Sequence, residues 1–294
     1  NKTCLNHFLQ NIAVKELWEG LSIREQMSQK YSVNVPHSLV INIGMNCSLA
    51  CKGCLCKSDP SLAMPLAEID RLVAEARELG IHIIVLTGGD PLMNDSLFKV
   101  YEKYDDMEFI VLTNGVLLND QRCLALSKLG NVLPLVTLEG GGDEIKQYIE
   151  PSTYQEILAS LDRMKAHGIL FGVMTPTKQS NLKFVTSDDF ILPLIRKGSR
   201  MNWYVTTSHG APSEQLGANE LSELEARISF IRQTRPYVTI VLESGNPFIC
   251  RCVVGPLLFH YDFNGQHNVL FFPQLSVKNS QNQPLIQVLR KIQS

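Results

Sequence analysis

Short apolar runs rich in β-branched residues alternate with longer amphipathic stretches along most of this 294-residue sequence. Their near-continuous hydrophobicity is typical of parallel strands that are buried on both faces. The stretches between them have apolar residues at helical spacing, and several end at a glycine. The alternation predicts an α/β fold, either a parallel barrel or a doubly wound sheet. The predicted strands are 38–45, 81–88, 108–115, 132–140, 169–176 and 200–207.

The chain divides into three predicted segments around this alternation. Residues 1–36 precede the first strand and are predicted to form a helical or irregular N-terminal extension. Residues 37–235 contain the strand–helix repeats of one large domain. Residues 236–294 have shorter apolar runs and an Asn-Gly pair at 264–265, which is typical of a hairpin turn. We therefore expect a small C-terminal α+β extension after the main domain.

The composition is that of an ordinary globular protein, with 45% hydrophobic residues, 19% charged residues and a formal net charge of -2. This balance shows no basic excess that would indicate a nucleic-acid partner. No uncharged apolar run reaches the roughly 18 residues that predict a membrane span. The first residues lack the pattern of a secretory signal. We therefore expect a cytoplasmic protein with reduced thiols.

Half of the eight cysteines lie within residues 47–56, directly after the first predicted strand. Cys47, Cys51 and Cys54 have the spacing C-x3-C-x2-C, so three thiolates on one loop can surround one metal centre. In a four-iron cluster, three ligands would leave one iron open. A closed zinc site, or a set of buried thiols, is the alternative. Cys56 would be a fourth ligand only in an unusual geometry, because one residue separates it from Cys54.

A second motif, "TGGDPL" (87–92), stands at the end of the second predicted strand. Paired glycines allow a ligand to approach the backbone, and they expose N–H and C=O groups. The motif alone is a common turn. However, it lies one strand–helix unit after the cysteines, at the same edge of the predicted sheet where α/β folds bind ligands.

Together these segments resemble the radical S-adenosylmethionine (SAM) enzymes. The matching segments are "CSLACKGC" (47–54), "TGGDPL" (87–92), "TNG" (113–115) and "TLEG" (137–140). The resemblance implies a partial (β/α)6 barrel, similar to a TIM barrel, with a [4Fe–4S] cluster at its open end. It also implies that one-electron reduction cleaves SAM to methionine and a 5′-deoxyadenosyl radical. That radical would abstract hydrogen from an unidentified small molecule, lipid or peptide precursor.

Carried over to this sequence, the resemblance assigns the cluster to Cys47, Cys51 and Cys54. It assigns SAM contacts to the turn after the second strand and to polar residues at later strand ends, namely Gly88, Gly89, Asp90, Pro91, Asn114, Thr137, Glu139 and Thr175. The turn would bind the methionine amino group, chiefly through backbone oxygens, and Pro91 would shape it. From the residues alone, Thr137 and Thr175 are equally well explained as helix caps.

The C-terminal extension resembles the SPASM or twitch type, which carries cysteines for an auxiliary cluster. Cys252 in "CRCVVG" (250–255) is in register with this pattern, but Leu270 stands where a further cysteine is expected. The ligand set for a second cluster is therefore predicted to be incomplete. Alternatively, Cys250 or Cys252 is a catalytic hydrogen donor, which would make the enzyme an epimerase. A buried structural thiol is the simpler interpretation.

Two functions of different classes follow. The first is a radical SAM enzyme, whose cluster would receive electrons from a flavodoxin or ferredoxin. The second is a noncatalytic iron–sulfur or zinc protein on the same scaffold. "TGGDPL" and the polar strand ends favour the enzyme, because a metal carrier has no need of a SAM site.

Overall fold

The fold is given by a computed structural model, which describes residues 2–51, 54, 61–141, 149–206, 214–243, 258–262 and 283–293. For residues 243, 258–262, 292 and 293 it describes the backbone only. Within these ranges, eight strands form one sheet in the order β7-β6-β5-β4-β3-β2-β1-β8, and every pairing is parallel. The strands are β1 (Ser38–Asn42), β2 (Ile83–Thr87), β3 (Glu108–Thr113), β4 (Val132–Thr137), β5 (Gly172–Thr177), β6 (Met201–Thr206), β7 (Val238–Glu243) and β8 (Leu258–Asp262).

Helices connect most of the consecutive strands. A π-helical stretch, Gln10–Gly20, separates the first two helices, and a short 3-10 turn, Pro91–Met93, follows β2. The α-helices are α1 (Lys2–Leu9), α2 (Leu21–Tyr31), α3 (Leu66–Glu78), α4 (Leu97–Lys103), α5 (Asp120–Leu129), α6 (Pro151–Ala166), α7 (Leu182–Val185), α8 (Asp188–Arg196), α9 (Ala218–Thr234) and α10 (Leu285–Gln293). None of these helices is long and apolar enough to cross a bilayer.

Strand order decides between the two architectures that the sequence allows. From β1 to β7 the strands lie side by side in the order in which the chain visits them. A doubly wound sheet would reverse direction at a switch point, whereas a barrel of the TIM type does not. The predicted partial-barrel α/β fold is therefore confirmed.

The sheet separates two apolar clusters, because successive side chains of a strand point to opposite faces. One face packs against the helices, and its cluster joins Leu39, Ile41, Leu86 and Val111 to helical residues such as Ile69 and Leu72. The other face lines the barrel interior with alternate strand residues, including Val40, Val85, Leu112, Leu135, Met174 and Trp203. Each strand from β1 to β7 therefore has apolar side chains on both faces, and polar side chains collect where strands end.

The N-terminal segment is helical from residue 2 to residue 31 and packs under the starts of the strands. Glu16 lies on the π-helix, with its side chain 2% exposed, and forms an ion pair of 2.8 Å with Arg24. Its other carboxylate oxygen accepts the backbone N–H of His82 at 3.0 Å, immediately before β2. His37, just before β1, contacts the same carboxylate. This buried network attaches the segment to the amino ends of β1 and β2.

The sheet also includes strands from the region predicted to be a separate extension. β7 continues the sheet beyond β6, and β8 pairs with β1 at the opposite edge. These strands add to the predicted six. The Asn-Gly hairpin at 264–265 lies outside the described residues, and the boundary at residue 236 stays a prediction.

Glu108, the first residue of β3, is an acidic group that is 2% exposed. Asn11 donates a hydrogen bond to its Oε2 at 3.4 Å, and burial raises the pKa of Glu108 to about 8. The unfolded chain releases this proton near pH 4, so between that pH and about 8 the folded state binds more protons. Stability is then lost as the pH rises through this window.

We expect Glu108→Gln to stabilise the protein increasingly as the pH rises from about 5 to about 8. In wild type, the free energy of unfolding falls by up to about 1.4 kcal/mol per pH unit across this range. The neutral amide removes this loss and preserves the shape of the side chain. Thermal unfolding at several pH values, beside the exposed control Glu102→Gln, measures the difference. Parallel melting curves of wild type and Glu108→Gln across this range would contradict the prediction.

Candidate functional site

The carboxyl ends of β1, β2 and β3 support the loop that carries Cys47, Cys51 and Cys54. Asn42 ends β1, and its Oδ1 accepts the N–H of Gly44 at 3.1 Å. After the cysteines, the chain returns to the end of β1. Met45 donates to the carbonyl of Leu62 at 2.9 Å, and Met64 donates to that of Ile43 at 2.8 Å. The cysteines thus lie on a loop whose two ends are hydrogen-bonded to each other.

The turn after β2 packs directly on this loop. Gly89 donates its N–H to the carbonyl of Gly44 at 2.8 Å, and Asp90 donates to that of Asn46 at 2.7 Å. A Cβ added to Gly89 would lie 1.9 Å from the Asn46 oxygen, and one on Gly88 would lie 2.5 Å from the Gly44 oxygen. Gly88 also has a φ of +134°, which favours glycine. The paired glycines therefore allow the cysteine loop to approach, which is a structural reason for the motif.

The carboxylate of Asp90 connects this turn to the end of β3. It accepts bonds from Thr113 Oγ1 at 2.9 Å, from the Leu92 N–H at 3.0 Å and from the Asn114 N–H at 3.1 Å. Burial raises the pKa of Asp90, and the hydrogen bond from Thr113 opposes this shift. Pro91 is the first residue of the 3-10 turn, where its missing N–H is not needed. Asp90 is thus a brace between two strand ends.

Asn114, directly after β3, brings the third strand end to the cysteine loop. Its Oδ1 accepts the N–H of Val116 at 2.9 Å. Its Nδ2 donates to Ser48 Oγ at 3.2 Å and to Cys47 Sγ at 3.5 Å. The structure therefore places this predicted site residue beside the first predicted ligand.

The three predicted cluster ligands lie within electrostatic reach of one another. Cys47 and Cys51 are half-buried, and Cys54 is exposed. Burial raises the pKa of Cys51, and the negative charges of Cys54, Cys47 and Glu139 raise it further. Burial likewise raises the pKa of Cys47, against a hydrogen bond from the Leu49 N–H at 3.5 Å. Neighbouring thiolates that repel each other suit a positively charged iron centre, so the residues fit the cluster.

A single metal ion and an iron–sulfur cluster require different spacings of three thiolates. Across the described part of the chain, no three His, Cys, Asp or Glu side chains converge as the ligands of one ion would. In an iron–sulfur cluster each thiolate binds a different iron, so wider spacing is expected. Cys56, Cys250 and Cys252 lie outside the described residues, and their predicted roles stay predictions.

The end of β4 contributes Thr137, its partly exposed last residue, and Glu139 two positions later. The Glu139 carboxylate influences Cys51 and accepts a bond from Lys178 Nζ at 3.4 Å. Both residues therefore belong to the same strand edge as the cysteines. Thr175 differs. It lies within β5, is fully buried, and donates to Asn202 Oδ1 at 3.0 Å, so the structure does not bring it to the site.

Lys178 is a site residue that the sequence reasoning missed. It follows β5 directly, with 15% of its side chain exposed, and lies 3.4 Å from Glu139 and 3.7 Å from Glu214. Its ammonium group offsets negative charge next to the thiols. Its position just beyond the end of a predicted strand is the sequence feature that could have identified it.

This geometry agrees with comparisons to known proteins. The sequence profile described as the Radical SAM superfamily matches residues 41–182. These residues form a radical SAM domain. Among sequence relatives, GTP 3',8-cyclase of Clostridium perfringens (strain 13 / Type A) is 31% identical over 160 residues, covering 51% of this chain and 49% of that protein. AdoMet-dependent heme synthase of Oleidesulfovibrio alaskensis is 23% identical over 146 residues, covering 47% and 38%. The chain thus spans half or less of the length of these curated relatives.

Solved structures of radical SAM proteins share the fold. Streptococcus suis SuiB bound to precursor peptide SuiA superimposes with a TM-score of 0.67 at 17% identity, covering 90% of this chain and 67% of that one. Native anSMEcpe with bound AdoMet and Kp18Cys peptide gives 0.63 at 14% identity, covering 87% and 81%. The chain therefore shares the half-barrel fold of these structures.

We expect Gly89→Ala to prevent the cysteine loop from packing on the turn, because the new methyl group would collide with the Asn46 carbonyl at 1.9 Å. Iron and sulfide bound after anaerobic reconstitution should fall several-fold, and the melting temperature should drop. Gly217→Ala is the matched control, since its Cβ would meet only the end of the Glu220 side chain. Full iron content in Gly89→Ala would show that the contact is dispensable.

Proposed function

We propose that this chain is a radical SAM enzyme that binds a [4Fe–4S] cluster through Cys47, Cys51 and Cys54 and cleaves SAM reductively. One observation carries the proposal. The loop with the three cysteines packs on the Gly-Gly-Asp turn through two backbone hydrogen bonds, from Gly89 and Asp90. A metal ligand set and a ligand-binding turn are thereby combined at the carboxyl edge of a parallel barrel, where such folds bind ligands.

When bound, the cluster supplies one electron for the cleavage of SAM to methionine and a 5′-deoxyadenosyl radical. Cys47, Cys51 and Cys54 would each hold one iron, which would leave the fourth iron for the amino and carboxylate groups of SAM. The chain's contribution is to fix the loop, through the Gly44 and Asn46 carbonyls, at the mouth of the half-barrel. Protein groups there position SAM rather than take part in its redox chemistry.

We assign the SAM contacts to the turn after β2 and to the end of β4. The N–H groups of Gly89 and Asp90 already donate to the cysteine loop. The carbonyl oxygens of this turn are therefore the groups that we assign to the SAM amino group. Thr137 and Glu139, at the end of β4, are assigned to its ribose or methionine part. Lys178 Nζ donates a hydrogen bond to the Glu139 carboxylate at 3.4 Å.

We further propose that the resulting radical abstracts hydrogen from an organic substrate, and that a flavodoxin or ferredoxin supplies the electron. Small molecules, lipids and peptide precursors all contain C–H bonds suited to this step. SuiB and anSMEcpe have been solved with bound peptides, which makes a peptide a reasonable first substrate to test. A noncatalytic metal protein would need neither the Gly-Gly-Asp turn nor the polar ends of β3 and β4.

The test is anaerobic reconstitution with iron and sulfide, followed by electron paramagnetic resonance of the dithionite-reduced protein with and without SAM. We expect about four irons per chain, a signal that changes on adding SAM, and 5′-deoxyadenosine as a product. Cys51→Ala should lose the cluster and at least about 100-fold of this product, since one iron would lack its ligand. Cys56→Ala is the control that should keep both.

Three results would overturn the proposal. The first is 5′-deoxyadenosine formation retained in Cys51→Ala. The second is a tightly bound zinc ion in place of iron. The third is a four-iron cluster whose spectrum does not respond to SAM, which would favour the noncatalytic alternative.

A further inference from the structure

The side-chain amide of Asn114 has a fixed orientation. Its Oδ1 accepts the backbone N–H of Val116 at 2.9 Å, so the oxygen end of the amide faces its own turn. The Nδ2 end must then face the cysteine loop, where it lies 3.5 Å from Cys47 Sγ and 3.2 Å from Ser48 Oγ. Because a backbone N–H can only donate, this contact identifies which end of the amide carries hydrogen.

The backbone of Asn114 is fixed as well. Its N–H donates to the buried carboxylate of Asp90 at 3.1 Å, and Thr113 Oγ1 donates to the same carboxylate. Asp90 also donates its own N–H to Asn46, the residue before Cys47. The donor and the sulfur are therefore attached to the same brace. Hydrogen bonds to Asp90 therefore hold the backbones on both sides of this contact.

We infer that Asn114 is a positioning residue whose Nδ2–H bond to Cys47 Sγ raises the reduction potential of the bound cluster. The inference rests on the proposed function, since it needs the cluster at Cys47. It goes beyond a contact between Asn114 and SAM, because the effect is present without SAM. Hydrogen bonds to the sulfur atoms are among the factors that set iron–sulfur potentials.

The physical reason is electrostatic. Reduction adds one electron to the centre and neither forms nor breaks a bond in the protein, so the thiolate sulfur becomes more negative. An N–H dipole directed at that sulfur stabilises the reduced form more than the oxidised form. The Nδ2 group carries two hydrogens, so it donates to Ser48 Oγ at 3.2 Å without giving up its bond to Cys47 Sγ. Removing the Ser48 hydroxyl therefore leaves the donor to Cys47 in place.

The experiment is a redox titration of the reconstituted, SAM-free protein, followed by electron paramagnetic resonance. The variants are Asn114→Leu, which removes the donor, and Asn114→Asp, which replaces it with a charged acceptor of the same shape. Ser48→Ala is the matched control. We expect a more negative midpoint potential in Asn114→Leu, a larger shift of the same sign in Asn114→Asp, and none in Ser48→Ala. Melting of the cluster-free proteins shows whether the variants remain folded.

The outcomes separate this inference from the proposed function. Wild-type protein that binds no four-iron cluster would overturn both. A cluster that responds to SAM, with the same midpoint potential in wild type and in both Asn114 variants, would overturn the role of Asn114 alone. If Asn114→Leu loses iron, the midpoint potential of Asn114→Asp is compared with that of wild type, and an unchanged value would overturn the role of Asn114. An equal shift in Ser48→Ala would also overturn it, since loop position would then be the cause.

Discussion

The site depends on one close backbone contact, in which the glycines after β2 lie against the loop after β1. At Gly89 the space for a side chain is already filled by the carbonyl of Asn46. Two backbone hydrogen bonds join the segments there and orient the residue that precedes Cys47. Because protein interiors are close-packed, this approach admits no side chain without displacement of the loop. The position of the first predicted ligand is therefore determined by a turn about 40 residues later in the sequence.

The parallel sheet explains why these segments meet. Neighbouring strands in chain order are neighbours in space, so the residues following β1, β2, β3 and β4 gather at one edge. Both faces of the strands from β1 to β7 are covered by apolar clusters, which leaves the strand ends as the places where polar groups are tolerated. The Asp90 carboxylate, after β2, accepts hydrogen bonds from Thr113 at the end of β3 and from Asn114, the next residue. The sheet supplies the alignment, and hydrogen bonds between strand ends supply the finer positions.

Much of this arrangement could be predicted from the sequence, since strand identity and motif position depend on local pattern. The three cysteines, the Gly-Gly-Asp turn and Asn114 were all placed at the correct edge. The reason for the two glycines could not be predicted, because their contact partners, Gly44 and Asn46, are distant in sequence. Thr175 shows a second limit of prediction from the sequence pattern. When both faces of a strand are apolar, the sequence does not reveal which face a residue occupies, and Thr175 occupies the helix side.

The pKa values of the cysteine thiols affect how the site binds a metal. Burial raises the pKa values of Cys47 and Cys51, and the neighbouring negative charges raise them further, so the free chain favours neutral thiols. Metal ligands must be thiolates, so binding iron has to release these protons. Donors such as Asn114 Nδ2 and the Leu49 N–H then compensate charge on sulfur, while Lys178 compensates Glu139. The donors that oppose the rise in the Cys47 pKa would thus also help to stabilise this thiolate as an iron ligand.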